Sequence, residues 1–149
     1  MTNIIGIDPG KNGGISVLSG DRRILALVKM PDTPTDLIEF LSGFKPAICY
    51  IENVHSMPTD GAKAAFAFGY EVGKLHTALS ACEIPAILVS PQTWMKSFSL
   101  KREKMEPHAS YKRRLKAKAQ QLFPSAKITL YNCDAALISE YGRQKEICV

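Results

Sequence analysis

Short apolar runs broken by glycine and proline fill the first third of the chain, and helical periodicities dominate the rest. Ile4-Ile5-Gly6-Ile7 ends at Asp8-Pro9-Gly10, where proline and glycine stop a strand and start a turn. Gly13-Gly14 continues that turn, Ile15-Ser16-Val17-Leu18 forms a second strand, Ser19-Gly20-Asp21 turns again, and Ile24–Val28 forms a third. The opening therefore predicts a three-stranded meander. Asp36–Phe40 predicts a short helix, with Thr35 as its cap and Leu37, Phe40 and Leu41 at helical spacing. Ala47–Ile51 is a buried strand that ends at Glu52.

After the loop His55–Gly61, the stretch Ala62–Ala81 predicts a long Ala-rich helix. Its Gly69 and Gly73, four apart, suit close packing at some cost in helix propensity. Ala86–Val89 is a fifth strand, and Pro91-Gln92-Thr93-Trp94 opens a short helix. Residues 99–108 are polar and charged and read as a mobile loop. Tyr111–Phe123 is a basic helix ended by Pro124, and Asp134–Gly142 is a last helix with Gly142 as its stop. The order βββαβαβαα, a meander followed by alternating strand and helix, predicts a mixed sheet flanked by helices. It is the order of an α/β, ribonuclease H-like fold with a five-stranded sheet. No repeat or linker interrupts it, so residues 1–149 are expected to form one domain.

Apolar residues make up 46% and charged residues 22%, which excludes a disordered chain. No apolar run is long enough to span a membrane, and the start Met1-Thr2-Asn3-Ile4 does not resemble a signal peptide. Cys49, Cys82, Cys133 and Cys148 lie far apart with no CxxC pair. They read as reduced, mostly buried thiols of a cytoplasmic protein. The net charge of +5 is unevenly spread. Residues 1–60 carry seven acids and five bases, whereas residues 96–127 carry ten bases and only Glu103 and Glu106. Such a basic block, densest at Lys112, Arg113, Arg114, Lys116 and Lys118, points to a polyanion such as nucleic acid; its ordinary alternative is a solvated helix face.

Three carboxylates stand where apolar elements end: Asp8 after the first strand, Glu52 after the fourth, and Asp134 at the start of the last helix. Each has an ordinary reading alone, as a turn residue, a strand end paired with a lysine, or a helix cap. Together they are more specific. If the two strands are neighbours, their acids lie side by side, and like charges that close must share a proton or a cation. Magnesium or manganese suits such an oxygen-rich set, and a pair of such ions about 4 Å apart can drive phosphodiester cleavage.

These residues resemble the RuvC-like Holliday junction resolvases, in the short form found in bacteriophages. The resemblance is carried by Gly6-Ile7-Asp8-Pro9-Gly10 with Gly13-Gly14, then Ile51-Glu52-Asn53-Val54 with Met57-Pro58. It continues through Phe68-Gly69 with Gly73, Val89-Ser90-Pro91 before Trp94, and Leu122-Phe123-Pro124. It closes on Asp134-Ala135-Ala136-Leu137-Ile138 followed by Glu140-Tyr141-Gly142-Arg143. The resemblance implies a homodimer that nicks four-way DNA junctions symmetrically, in a bacterial host cytoplasm if the source is a phage or prophage. It makes Asp8, Glu52 and Asp134 the holders of Mg2+ or Mn2+, and Lys112 a functional lysine at the scissile phosphate. One departure stands out: Tyr131 lies where the family carries a second acid or a histidine, about a turn before the last aspartate. Asn132 offers a carbonyl oxygen nearby, and Glu140 falls on the wrong helix face.

Phe66 and Phe68 cannot share one helix face, so one of them points outward. In the family an aromatic near here wedges into the junction, which makes both candidates for DNA contact beside the plain core reading. Trp94 reads as core before base platform. His55, His76 and His108 show no zinc spacing, and the Gly10–Gly14 turn lacks a P-loop ending. Three functions compete: a metal-dependent endonuclease on branched DNA, a branched-DNA-binding protein of the same fold with weakened catalysis, and an actin-like ATP-binding fragment. The last is disfavoured because ATP in such folds sits between two domains.

Overall fold

A computed structural model describes residues 1–148. Five strands, β1 (Asn3–Asp8), β2 (Gly14–Leu18), β3 (Ile24–Lys29), β4 (Ala47–Glu52) and β5 (Ala86–Val89), form one sheet in the order β3-β2-β1-β4-β5. The meander β1–β2–β3 is antiparallel, and β1–β4 and β4–β5 are parallel. Helices α1 (Pro34–Ser42) and α2 (Ala62–Ala81) connect β3 to β4 and β4 to β5; α3 (Pro91–Ser97), α4 (His108–Leu122) and α5 (Cys133–Ile147) follow the last strand. Three helices therefore close the chain, at the segments opened by Pro91, Tyr111 and Asp134 in the sequence, one more than the order βββαβαβαα counts. Among the described residues no helix is long and apolar enough to cross a membrane.

The two-residue period of the strands sorts the core. Ile5 and Ile7 of β1 join Cys49 and Ile51 of β4, Leu37 and Leu41 of α1, and Leu75 and Leu79 of α2. Ile4 and Tyr50 join Leu137 and Ile138 of α5, Leu115 of α4 and Trp94 of α3 on the opposite face. Gly6 and Asp8 share the parity of Ile4, and Glu52 shares that of Tyr50, so both strand-end acids fall on the α5 face.

That face is unusually close to its helix. A Cβ on Gly6 would collide with the backbone of α5 at Ala135 and Ser139, so only glycine lets the helix lie directly on β1. Ser16 of β2 and Ser139 of α5 seal the contact with a buried 2.8 Å hydroxyl–hydroxyl hydrogen bond. Gly142 serves the same end rather than stopping the helix. α5 runs on to Ile147, and a Cβ at Gly142 would strike the Tyr50 ring.

Other expectations also change. The α1 cap is Thr33, whose side chain accepts from the Asp36 amide at 3.1 Å, and Pro34 takes the first helical position. Gly69 and Gly73 meet nothing that a Cβ would disturb, because the N-terminal half of α2 projects beyond the sheet. The loop after α3 is tied down. Arg102 donates to the Glu106 carbonyl, and Arg114 clamps the Glu106 carboxylate at 2.7 and 2.8 Å. Three cysteines are buried as expected, while Cys148 is exposed.

Gly6→Ala is expected to destabilise the fold by about 1–3 kcal/mol or more, the usual range for forced overpacking. Urea unfolding of the variant measures this.

Candidate active site

Parallel pairing sets β1 against β4 with Ile7 opposite Ile51, and the same register one step further brings Asp8 beside Glu52. Both strands end there, so the carboxyls meet at the open end of the sheet, within hydrogen-bonding reach of each other. Asp134 comes from the first turn of α5, where the helix N-terminus favours an acid. The close seating of α5 on Gly6 brings it near enough to bear electrostatically on both.

Each acid has its own partner. Trp94, completely buried, donates its indole N–H to Glu52 Oε1 at 3.1 Å. Lys112 Nζ lies 2.8 Å from Asp134 Oδ2, and Cys133 Sγ donates to Asp134 Oδ1 at 3.3 Å. Lys112 reaches the site because Tyr111, Leu115 and Ala119 form the buried stripe of α4, which packs on α5, and Lys112 stands beside that stripe.

Charge is under-compensated. Burial pushes the Asp8 carboxyl up to about 8, the charges of Asp134 and Glu52 add to this, and Lys112 only partly opposes them. Burial also raises Glu52; the Trp94 hydrogen bond pulls it down and Asp134 pushes it up. Burial works against the Lys112 ammonium, but the charge and hydrogen bond of Asp134 outweigh it and hold its pKa above the usual value. Near neutral pH, Asp8 and Glu52 therefore behave as a pair sharing a proton.

The donor chemistry fits a hard divalent cation: carboxylate oxygens, excess negative charge and an open sheet end. The acids have not closed into a cage, since Asp134 spends both oxygens on Lys112 and Cys133. Among the described residues no group of three or more His, Cys, Asp or Glu is arranged to hold a metal. Nor does either neighbour of Asp134 fill the gap noted in the sequence. Tyr131 is 67% exposed, and the Asn132 side-chain carbonyl already accepts from the Thr129 amide at 2.8 Å. Glu140 is remote in function, fully buried and bound by Arg22, Arg143 and Gln144.

The remaining sequence candidates divide. Arg113 is exposed, and Lys116 and Lys118 are partly so; neither of the lysines makes a hydrogen bond or ion pair among the described residues. Arg114 is committed to Glu106 and lies over the Tyr111 ring, which reduces what it can offer a ligand. Phe66 is 79% exposed and Phe68 partly buried, so neither belongs to the main core. Trp94 is core, yet its bond to Glu52 also makes it part of the site. The available signal was that a buried indole N–H needs an acceptor.

No protein-family model and no curated protein matches the chain. Among solved structures it is similar to Thermus thermophilus RuvC, with a TM-score of 0.69 and 16% identity over 99% of this chain and 97% of that one. It is also similar to T. thermophilus RuvC in complex with Holliday junction substrate, with a TM-score of 0.70 and 16% identity over 98% and 96% of the two chains. The fold is RuvC-like, of the ribonuclease H-like class.

The raised Asp8 pKa has a stability consequence with a definite sign. Its folded value lies above the ordinary 3.8, so the stability that neutral Asp8 confers is complete below about pH 4 and is lost as pH rises to about 8. In chelator, Asp8→Asn should therefore match wild type near pH 4 and exceed it at pH 8, on the order of 3–5 kcal/mol. Urea melts at both pH values check this.

Proposed function

We propose that this chain is a metal-dependent endonuclease that resolves Holliday junctions and other branched DNA by symmetric nicking, acting as one domain across residues 1–149. The observation that carries it is the convergence of Asp8, Glu52 and Asp134 at one end of a RuvC-like sheet, with Lys112 among them. The similar RuvC fold bound to Holliday junction substrate supports the choice of DNA. So do the net charge of +5 and the basic helix α4.

Asp8, Glu52 and Asp134 would hold magnesium or manganese, which supplies Lewis-acid stabilisation to a phosphodiester undergoing hydrolysis. The chain's own groups have separate tasks. Asp8 must give up the proton it shares with Glu52. Trp94 fixes the orientation of Glu52. Lys112, released from Asp134, is placed to offset charge on the phosphate or on the departing oxygen. Arg113, Lys116 and Lys118, with a smaller share from Arg114, supply sequence-independent phosphate contacts.

Paired nicks on a two-fold substrate require paired sites, so the working form is a homodimer. The long helix α2 is the candidate interface element: its Leu79 is in the intramolecular core, but Gly69 and Gly73 pack on nothing among the described residues. Phe66 and Tyr70 are exposed instead. Beside them, the edge strand β5 exposes Ile87 and Leu88, and Leu88 lines one pocket with Val72 and His76 of α2. An uncovered apolar helix next to an unpaired strand edge suits a second copy.

A second reading, a branched-DNA binder with weakened catalysis, is favoured by the exposed Tyr131 and the occupied Asn132 carbonyl. Nicking of a synthetic four-way junction separates the two. Asp8→Asn, Glu52→Gln and Asp134→Asn should each abolish nicking in magnesium or manganese while junction affinity holds or rises, because each removes negative charge beside phosphate. Lys112→Ala should lower the single-turnover rate at saturating DNA, whereas Lys116→Ala should weaken binding alone. Near-wild-type cutting by all three acid variants would sink the assignment. Phe66→Asp is expected to shift a dimer to monomer in sedimentation at micromolar concentration; a wild-type monomer there rules out this interface.

A further inference from the structure

We propose that Lys11, Lys29 and Tyr131 form a subsite for the nucleotide adjoining the scissile phosphate, the lysines holding its phosphodiester and Tyr131 lying against its sugar or base. The proposal rests on the nuclease reading and adds the path that the cut strand takes across the site. The three residues line a pocket of about 280 Å³ with Asn12 and Gly13, a volume that suits one phosphate and part of a sugar.

Its position follows from the meander. A turn closed by the Gly13 amide on the Gly10 carbonyl at 3.0 Å carries Lys11 and Asn12 past the end of β1. The Gly13 backbone packs so tightly on the Asp8 carbonyl that no Cβ fits between them. Gly14 is paired with Asp8 on one side and with Lys29 on the other. Lys29 is therefore two strand spacings from Asp8, about 10 Å. Tyr131 arrives from the turn before α5; its carbonyl would be 3.7 Å from a Cβ at Gly14. The pocket thus flanks the carboxylates on the β2–β3 side, while Trp94 closes the β4 side. A strand with one phosphodiester at the carboxylates passes its neighbour over this pocket.

Its charge is unspent. Arg22, Lys74, Lys112, Arg114 and Arg143 each pair with an acid. The side chains of Lys11 and Lys29 make no hydrogen bond or ion pair among the described residues, and no acid lines the pocket. Tyr131 is 67% exposed, and among the described residues its backbone amide alone is bonded, to Thr129 Oγ1 at 3.3 Å. An exposed ring beside two free ammonium groups is the pairing that single strands meet on stacking platforms. It also explains a tyrosine where an acid was expected: the residue faces DNA and not the cation.

The test uses the full chain in an Asp8→Asn background, so that binding is read without cutting. The probe is a synthetic four-way junction whose nick has been mapped with wild type. Lys11→Gln and Lys29→Gln should each reduce the slope of log affinity against log salt by about 0.7–0.9. Tyr131→Ala should lower affinity at an unchanged slope, and Tyr131→Phe should restore it. A single neutral methylphosphonate next to the mapped nick should weaken binding by the parent and leave Lys11→Gln/Lys29→Gln unaffected. Unchanged slopes, or equal methylphosphonate losses in parent and double variant, overturn the subsite while the nuclease reading stands. Absence of nicking by wild type strikes the nuclease reading itself, and absence of junction binding removes both.

Discussion

The parallel pairing of β1 with β4 is the constraint on which the site depends. Its register is locked by Ile5 and Ile7 on one face and by Ile4 and Tyr50 on the other, and a slip of one residue would turn every one of them inside out. Hydrophobic burial therefore places Asp8 beside Glu52, although the two carboxyls repel. Burial raises the pKa of both acids first; the charges of Asp134 and Glu52 add to it at Asp8, and that of Asp134 adds to it at Glu52. The core tolerates it because the acids stand at the strand ends, where one more residue leads out of the sheet. Gly6 adds the third acid by letting α5 lie on β1 backbone to backbone.

Much of this was legible in the chain. Asp8 and Glu52 each end an apolar run, and Asp134 opens one, so the three acids could be named from position alone. The five strands and α2 fall where alternation and composition put them. The partners were not legible. Nothing local says that Trp94 will bond Glu52 across 42 residues, or that Arg114 will be captured by Glu106. Gly142 misled because a glycine late in a helix ordinarily ends it; here the space is taken by Tyr50, a residue 92 positions earlier. Thr35 suits a cap by residue type, and only the backbone shows that Pro34 begins the helix and Thr33 caps it. Pattern reveals what a residue needs, and tertiary structure decides which neighbour meets the need.

Exposure divides α2 and α4 into packed and solvent-facing stretches. The C-terminal half of α2 buries Lys74, Leu75, Ala78 and Leu79, whereas the N-terminal half carries Phe66 and Tyr70 into solvent. In α4 the buried stripe Tyr111, Leu115 and Ala119 anchors the helix on α5, and the basic residues fall on what remains. The same helix therefore delivers Lys112 to the carboxylates and positive charge to the surface as one rigid element.

A comparison within α5 separates two buried acids, Asp134 and Glu140, by how fully each is paired. Glu140 is the more deeply buried of the two, yet Arg22, Arg143 and Gln144 hold its carboxylate at 2.7–3.0 Å and keep its pKa below the ordinary value. It is a closed network with no capacity left for a ligand. At the other end of the helix a single ammonium, Lys112, faces three carboxylates, and burial, with the charge of Asp134 added, raises the pKa of Asp8 and Glu52. Structural burial of charge ends in compensation, because an uncompensated buried charge costs several kcal/mol. Charge left uncompensated at an open sheet end has a different logic: it is stable only when protonated or when a cation arrives, so the site's ionisation state and its occupancy become one equilibrium.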